Sequence, residues 1–185
     1  MTRCVSTIAA VALALGFAVA QPAQADLLLF TSTLLPENEL HTDVQSNAAG
    51  VAIMSVDTDT GLFDLTLWVT GIDQADLTAN PFHIHIGGPE VSGGIIFGFL
   101  GVDNDWTTNG SLLVREIVDA QFDQAFIDTY WDDLLAGDTY LNVHTSAYPP
   151  GEIRGQLIPV PEPTSLGLVA IGVGVMLTGR RRRAT

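Results

Sequence analysis

The chain has 185 residues, 47% of them hydrophobic, with 21 Asp or Glu against 7 Arg, no lysine and a formal net charge of -14. That length fits one domain with terminal appendages rather than two globular units. Arg3 and the run Arg180, Arg181, Arg182 and Arg183 lie near the ends, so the body holds every acid except Glu162 and only Arg115 and Arg154 to oppose them. Such a field repels a phosphate backbone and excludes nucleic acid and acidic substrates, leaving cations, basic proteins and neutral surfaces as partners.

Residues 1–25 read as a secretory signal peptide: Arg3, an apolar run from Ile8 to Ala20, then Ala23-Gln24-Ala25 as a small-x-small cleavage site before Asp26. The run is short for an uncleaved anchor. Cys4, the single cysteine, precedes it and leaves with it, so the mature protein is expected to have neither a disulfide nor a thiol nucleophile.

Residues 26–158 are expected to form one β-rich unit. Leu27 to Leu35, Val51 to Val56 and Leu62 to Val69 read as strands. The last two are joined by a hairpin turn at Asp57-Thr58-Asp59-Thr60-Gly61, which lacks the terminal Glu of a calcium loop. Phe82 to Ile86 and Gly94 to Leu100 are short strands around a break at Gly87-Gly88-Pro89, and Ser111 to Val118 is a further extended segment. Between Ala120 and Leu135 the apolar positions switch to helical spacing, with Asp119 as cap and Gly137 as stop. Thr139 to His144 and Glu152 to Ile158 close the body around the turn Ser146 to Gly151, and Pro159, Pro161 and Pro163 then form a hinge. Many short strands with Gly and Pro turns predict an all-β antiparallel sandwich, immunoglobulin-like or superoxide-dismutase-like, with one short helix in a late connection. Leu65, Leu67, Ile84, Ile86, Leu141, Val143 and Leu157 are core candidates.

The chemistry-bearing pattern is His83-Ile84-His85 on one strand and His144 at the end of another. On a strand, i and i+2 share a face, so His83 and His85 point together with Cβ atoms about 6 to 7 Å apart. His144 becomes a third nitrogen donor if its strand lies alongside. Neutral imidazoles suit zinc or copper. The alternatives are a packed polar cluster, bonded to carboxylates, Asn142 and backbone carbonyls, or a ligand site without metal. Glu152, Arg154 and Gln156 share one strand face, and Arg154 is expected to be structural, in an ion pair for which Glu152 is the nearest candidate. Trp106, in a polar loop, is a candidate sugar-binding platform, whereas Trp68 and Trp131 are expected in the core. No acid and base pair or activated nucleophile can be singled out, which points away from an enzyme.

After the hinge, Leu166 to Leu177 is apolar and is followed by Thr178-Gly179 and then Arg180, Arg181, Arg182 and Arg183. This stretch falls short of the roughly 20 residues that span an average bilayer, and suggests a short transmembrane helix with its arginines on the cytoplasmic side, or a transient anchor. Val160-Pro161-Glu162-Pro163, this Gly-rich apolar segment and the arginine cluster together resemble the PEP-CTERM sorting signal, assigned here to residues 159–185. The resemblance implies an exosortase-type processing enzyme in a Gram-negative bacterium. It also implies transient inner-membrane anchoring and delivery to the periplasm, outer surface or extracellular matrix, with extracellular polysaccharide or an envelope protein as partners.

The body itself resembles the CHRD domain. The segments carrying the likeness are Tyr140-x-Asn142-Val143-His144-Thr145, Pro150 to Leu157, and His83-Ile84-His85 followed by Gly87. The opening hairpin, from Ala49-Gly50-Val51-Ala52 to Leu62 to Thr66, also matches. One departure is Glu39-Leu40-His41, where the family tends to carry Glu-Val-Pro, which places His41 outside the shared site. The resemblance implies a β-rich extracellular module without a defined reaction, noncatalytic and engaged in envelope or matrix interactions. The spaced histidines are also loosely similar to the copper ligands of Cu/Zn superoxide dismutases, an enzyme that would need further ligands and normally a disulfide.

Overall fold

The computed structural model describes residues 27–41, 44–99 and 106–161. The signal segment lies outside them, and so do the sorting-signal residues Glu162, Pro163, Arg180, Arg181, Arg182 and Arg183, leaving Pro161 as the one member of that set within the described chain. Among the described residues ten strands form two antiparallel sheets. The first has the order β10-β1-β2-β3-β7-β6, from β1 (Leu27–Leu34), β2 (Ala49–Asp57), β3 (Leu62–Thr70), β6 (Thr107–Asn109), β7 (Leu112–Gln121) and β10 (Ile158–Val160). The second has the order β5-β4-β8-β9, from β4 (Leu77–Ile86), β5 (Ile95–Gly98), β8 (Thr139–Thr145) and β9 (Ile153–Gln156). The expected sandwich is what forms.

Period-two alternation puts Phe30, Met54, Leu65 and Ile117 on the inner face of the first sheet, and the register aligns them as one row across β1, β2, β3 and β7. Phe82, Val143 and Ile153 make the matching row on the second sheet. Each such side chain, fully buried, contributes about 1.5–3 kcal/mol. Of the named core candidates only Ile86 is half-buried; the other six are sealed. Trp68 departs from expectation: Leu65, Leu67 and Val69 point inward, so Trp68 takes the opposite parity and lies half-exposed on the outer face of the first sheet. Trp131 is half-buried against the core.

The helix, α1 (Gln124–Ala136), packs Phe126 and Leu134 onto the core, where Phe126 stacks on Phe122 at 4.1 Å and Phe122 on Phe63 at 4.3 Å. Its N-cap is Asp123, whose Oδ1 accepts from the Phe126 amide at 2.8 Å, rather than Asp119. Asp119 is spent on a bulge: β7 runs on to Gln121, its register slips opposite Phe63 to Leu65, and Asp119 takes φ 53° with its amide on the Asp64 carboxylate at 2.9 Å. Gly137 does stop the helix, at φ 77°. Pro159 is not part of a hinge: it sits in β10, an edge strand paired to β1, where a missing N–H is tolerated, and Pro163 lies outside the described residues.

The expectation of a transmembrane helix is corrected. Among the described residues no helix is long and apolar enough to cross a membrane. The 13 residues of α1 reach about 20 Å against a hydrocarbon core of about 30 Å. Residues 166–177, on which that expectation rested, lie outside the described residues.

Candidate metal centre

All seven residues of β8 are buried, so this inner strand of the second sheet is covered on both faces. One cover is the hydrophobic core. The other is loop, and the strand face beneath it is polar: the register sets His83, Asn142 and Arg154 in one row and His85, Tyr140 and Gln156 in the next, across β4, β8 and β9. His144 lies two residues beyond Asn142 on the same strand. Pairing of β4 with β8 thus brings the three histidines together.

Their donor nitrogens lie within 4.8 Å of one another. Nitrogens bound at 2.0–2.1 Å to one tetrahedral ion stand about 3.4 Å apart, so modest ring rotation closes the set. Ring centroids are 4.9 Å apart for His83 and His144, 5.7 Å for His83 and His85, and 5.9 Å for His85 and His144. His85 Nδ1 lies 3.0 Å from the Gly93 carbonyl and His144 Nδ1 lies 2.9 Å from the Pro149 carbonyl. A carbonyl only accepts, so each Nδ1 carries the proton and each Nε2 keeps a lone pair. Both Nε2 atoms are buried without a hydrogen-bond partner, as are both ring nitrogens of His83. Buried polar atoms left unpaired in this way cost stability, about 1–3 kcal/mol each, unless something occupies them.

Burial pushes all three imidazoles down from their ordinary value, His83 to about 4 with help from the neighbouring His144 and His85. They are therefore neutral at pH 7, the state in which imidazole ligates. The cluster can coordinate a metal such as zinc or copper through three nitrogens, two of them oriented by backbone carbonyls in the manner of outer-shell partners.

Arg154, only 1% exposed, holds the cover in place. Its Nη2 donates to the carbonyls of Gly88 and Val91, both at 2.7 Å, and to Gln156 Oε1 at 3.3 Å. Gln156 Nε2 donates to the carbonyls of Gly87 at 2.9 Å and Gly137 at 3.0 Å. The guanidinium lies 3.5 Å over the Tyr140 ring, and that ring stacks on His85 at 4.9 Å with planes 14° apart. The Tyr140 hydroxyl donates to the Gly93 carbonyl at 3.3 Å and accepts from its amide at 3.2 Å. Gly93 is required there, since a Cβ would meet the Ile86 carbonyl. A cleft of about 470 Å³ opens beside this face, touching Ser32, Arg154 and Gln156 but none of the three histidines.

The expected Glu152 to Arg154 ion pair does not form. Glu152 precedes β9 and its carboxylate accepts from Thr145 Oγ1 at 2.5 Å and Ser46 Oγ at 2.6 Å, tying the 146–151 turn to the 44–48 segment. The acids whose fields reach Arg154 are Glu39 and Glu90. Asn142 Nδ2 makes a long bond, 3.5 Å, to the Pro150 carbonyl and lies beside the Glu39 carboxyl, whose Oε1 is buried and unpaired, as is Asn142 Oδ1. Trp106 is no free platform: it is half-buried, edge-on to Phe82 at 6.4 Å. Sequence reasoning passed over Glu39, whose side chain is 3% exposed and whose carboxyl burial pushes up to about 7. It also set aside His41, which donates from Nε2 to the Gly151 carbonyl at 2.8 Å and contacts Glu39 at 3.3 Å. Both are long-range partners without a local motif.

A β-sandwich with one polar strand face sealed under Gly-rich and Pro-rich loops is thus the class of module defined by the fold and its histidine cluster. The chain matches the model of the CHRD domain over residues 30–157 and that of the PEP-CTERM protein-sorting motif over residues 159–183, and it belongs to the CHRD domain family. The second match takes in Pro161, Glu162 and Pro163 and ends on Arg180, Arg181, Arg182 and Arg183, the residues on which the sorting-signal resemblance rested. No curated protein and no solved structure matches the chain. This architecture supports a noncatalytic secreted or surface module handled by exosortase-type sorting, a system linked to Gram-negative bacteria.

Proposed function

We propose that the protein is a noncatalytic metal-holding module of the cell envelope or extracellular matrix, with His83, His85 and His144 as the ligands. The observation that carries the reading is the set of converging ring nitrogens, buried within 4.8 Å of one another and unpaired by any protein group. Asn142, Glu152, Arg154 and Gln156 act as structure around them, fixing the loops that close the site. The route is signal-peptide cleavage, then exosortase-type processing of the sorting signal that runs from Pro161, Glu162 and Pro163 to Arg180, Arg181, Arg182 and Arg183, and delivery to the periplasm, outer surface or matrix. There the body contributes to contacts with extracellular polysaccharide or an envelope protein.

The test is the metal content of the full chain, exported to the periplasm with a tag free of histidine and purified without chelator in mild detergent. Near-stoichiometric zinc or copper in the parent, missing from a still-folded His83→Ala/His85→Ala variant, is the expected result. A folded parent that holds no metal and takes up neither ion when supplied would end the reading.

A further inference from the structure

The donor set, if it holds a metal as proposed above, also selects which one. Among the described residues the cluster consists of three imidazoles, with no carboxylate or thiolate joining it. Glu39, the buried acid of this region, contacts His41 through one carboxyl oxygen and places the other, buried and unpaired, beside Asn142, in the field of Arg154 but outside the cluster of ring nitrogens. A cation already sits on this face: the Arg154 guanidinium over Tyr140, whose ring stacks on His85. The unpaired ring nitrogens are sealed from solvent.

A buried ion's self-energy grows as the square of its charge, so a dication here costs about four times what a monocation costs. Zinc offsets that penalty with thiolates, carboxylates or an ionised water in a fourth, open position. This site supplies three neutral nitrogens and a closed roof. Copper(I) and zinc share a filled d shell without a ligand-field demand for a fourth ligand, so their charge separates them here, and copper(I) is monovalent and suited by imidazoles. We infer that the centre is a closed, three-coordinate copper(I) site formed by His83, His85 and His144, which discriminates against zinc and copper(II) by offering, among the described residues, no anion and no solvent position.

The test uses the metal-stripped full chain in mild detergent under anaerobic conditions. Copper(I) is titrated in competition with a bathocuproine chelator, zinc with a chromophoric zinc chelator, and the copper-loaded protein is read by X-ray absorption. The expected result is one copper(I) per chain, kept against about a 100-fold excess of zinc, with a first shell of three nitrogens. The copper should be lost in His83→Leu, which removes a ring that makes no hydrogen bond and should keep the parent's circular dichroism spectrum. Zinc displacing copper(I), or an oxygen fourth ligand in the absorption spectrum, overturns the choice of ion while the metal reading stands. A folded chain that binds neither ion overturns both. The competition on the parent decides the ion whatever the variant does.

Discussion

Replacing Arg154 by methionine tests whether this side chain holds the roof of the site. The side chain is 1% exposed, donates twice at 2.7 Å to the carbonyls of Gly88 and Val91, and lies 3.5 Å over the Tyr140 ring. Each charge-assisted bond contributes about 1.5–3 kcal/mol, and a desolvated cation over an aromatic ring about 2 kcal/mol. Against that gross of roughly 5–8 kcal/mol, methionine recovers packing and spares the cost of desolvating the charge, while the two carbonyls stay buried and unpaired. The net loss is about 3–5 kcal/mol, or a fall in Tm on the order of 10 °C for a domain of this size. Urea unfolding followed by tryptophan fluorescence reads the change as a lower midpoint at unchanged slope. Amide exchange in 87–94 should accelerate, because that loop loses its anchor. A loss below about 1 kcal/mol would refute the reasoning, since only an exposed or replaceable guanidinium behaves that way.

Three further outcomes follow from the same geometry. His83→Leu should stabilise the metal-free protein by about 1–2 kcal/mol in urea, because it removes two buried, unpaired ring nitrogens; a loss of stability would mean that those nitrogens are satisfied in solution. Glu39 carries its carboxyl from an ordinary 4.5 up to about 7, so the folded chain binds the extra proton. Its contribution is fully present below about pH 4.5 and is lost as pH rises through 7, by up to about 3 kcal/mol. The lowered histidines act in the opposite sense, losing stability as pH falls, so the readout is parent minus Glu39→Gln across pH 4 to 8, and a flat difference would contradict the buried acid. Gly93→Ala must push the 87–94 loop off the Ile86 carbonyl and with it the acceptor of His85 Nδ1. Metal affinity should fall about 10-fold or more with the fold retained, and an unchanged affinity would show that the carbonyl does not orient the ring.

The strands were legible because their alternation is local. Val51 to Val56 and Leu62 to Val69 read as a hairpin from residues within one turn of each other, and the His83 and His85 pair follows from parity alone. What was not legible is which face of a strand is outside. Trp68 looks like core by composition, yet its parity opposes that of Leu65 and Leu67. His144 joined the other histidines only conditionally, because the pairing of β4 with β8 spans the whole of β5, β6, β7 and α1. Arg154 stands out in the sequence as a rare cation in an acidic body, but its partners are carbonyls 63 and 66 residues away, and carbonyls leave no mark in a sequence. The cap moved from Asp119 to Asp123 because a bulge lengthened β7, a tertiary event that local spacing does not encode.

The body's charge and the character of the site act at different ranges. A formal net charge of -14 draws in any cation, yet this attraction is screened beyond about 8–10 Å and scales with charge, so by itself it favours divalent ions in general. Discrimination begins where water ends. Under the 87–94 loop the near neighbours are neutral imidazoles, a tyrosine ring and a guanidinium whose charge is opposed by Glu39 and Glu90, and there the cost of stripping the ion outweighs the distant attraction. A chain selected only to collect divalent cations would place carboxylates among those histidines, and this one has 21 acids to draw on. That none of them joins the cluster among the described residues makes the neutrality of the pocket, rather than the acidity of the surface, the property that sets what it can hold.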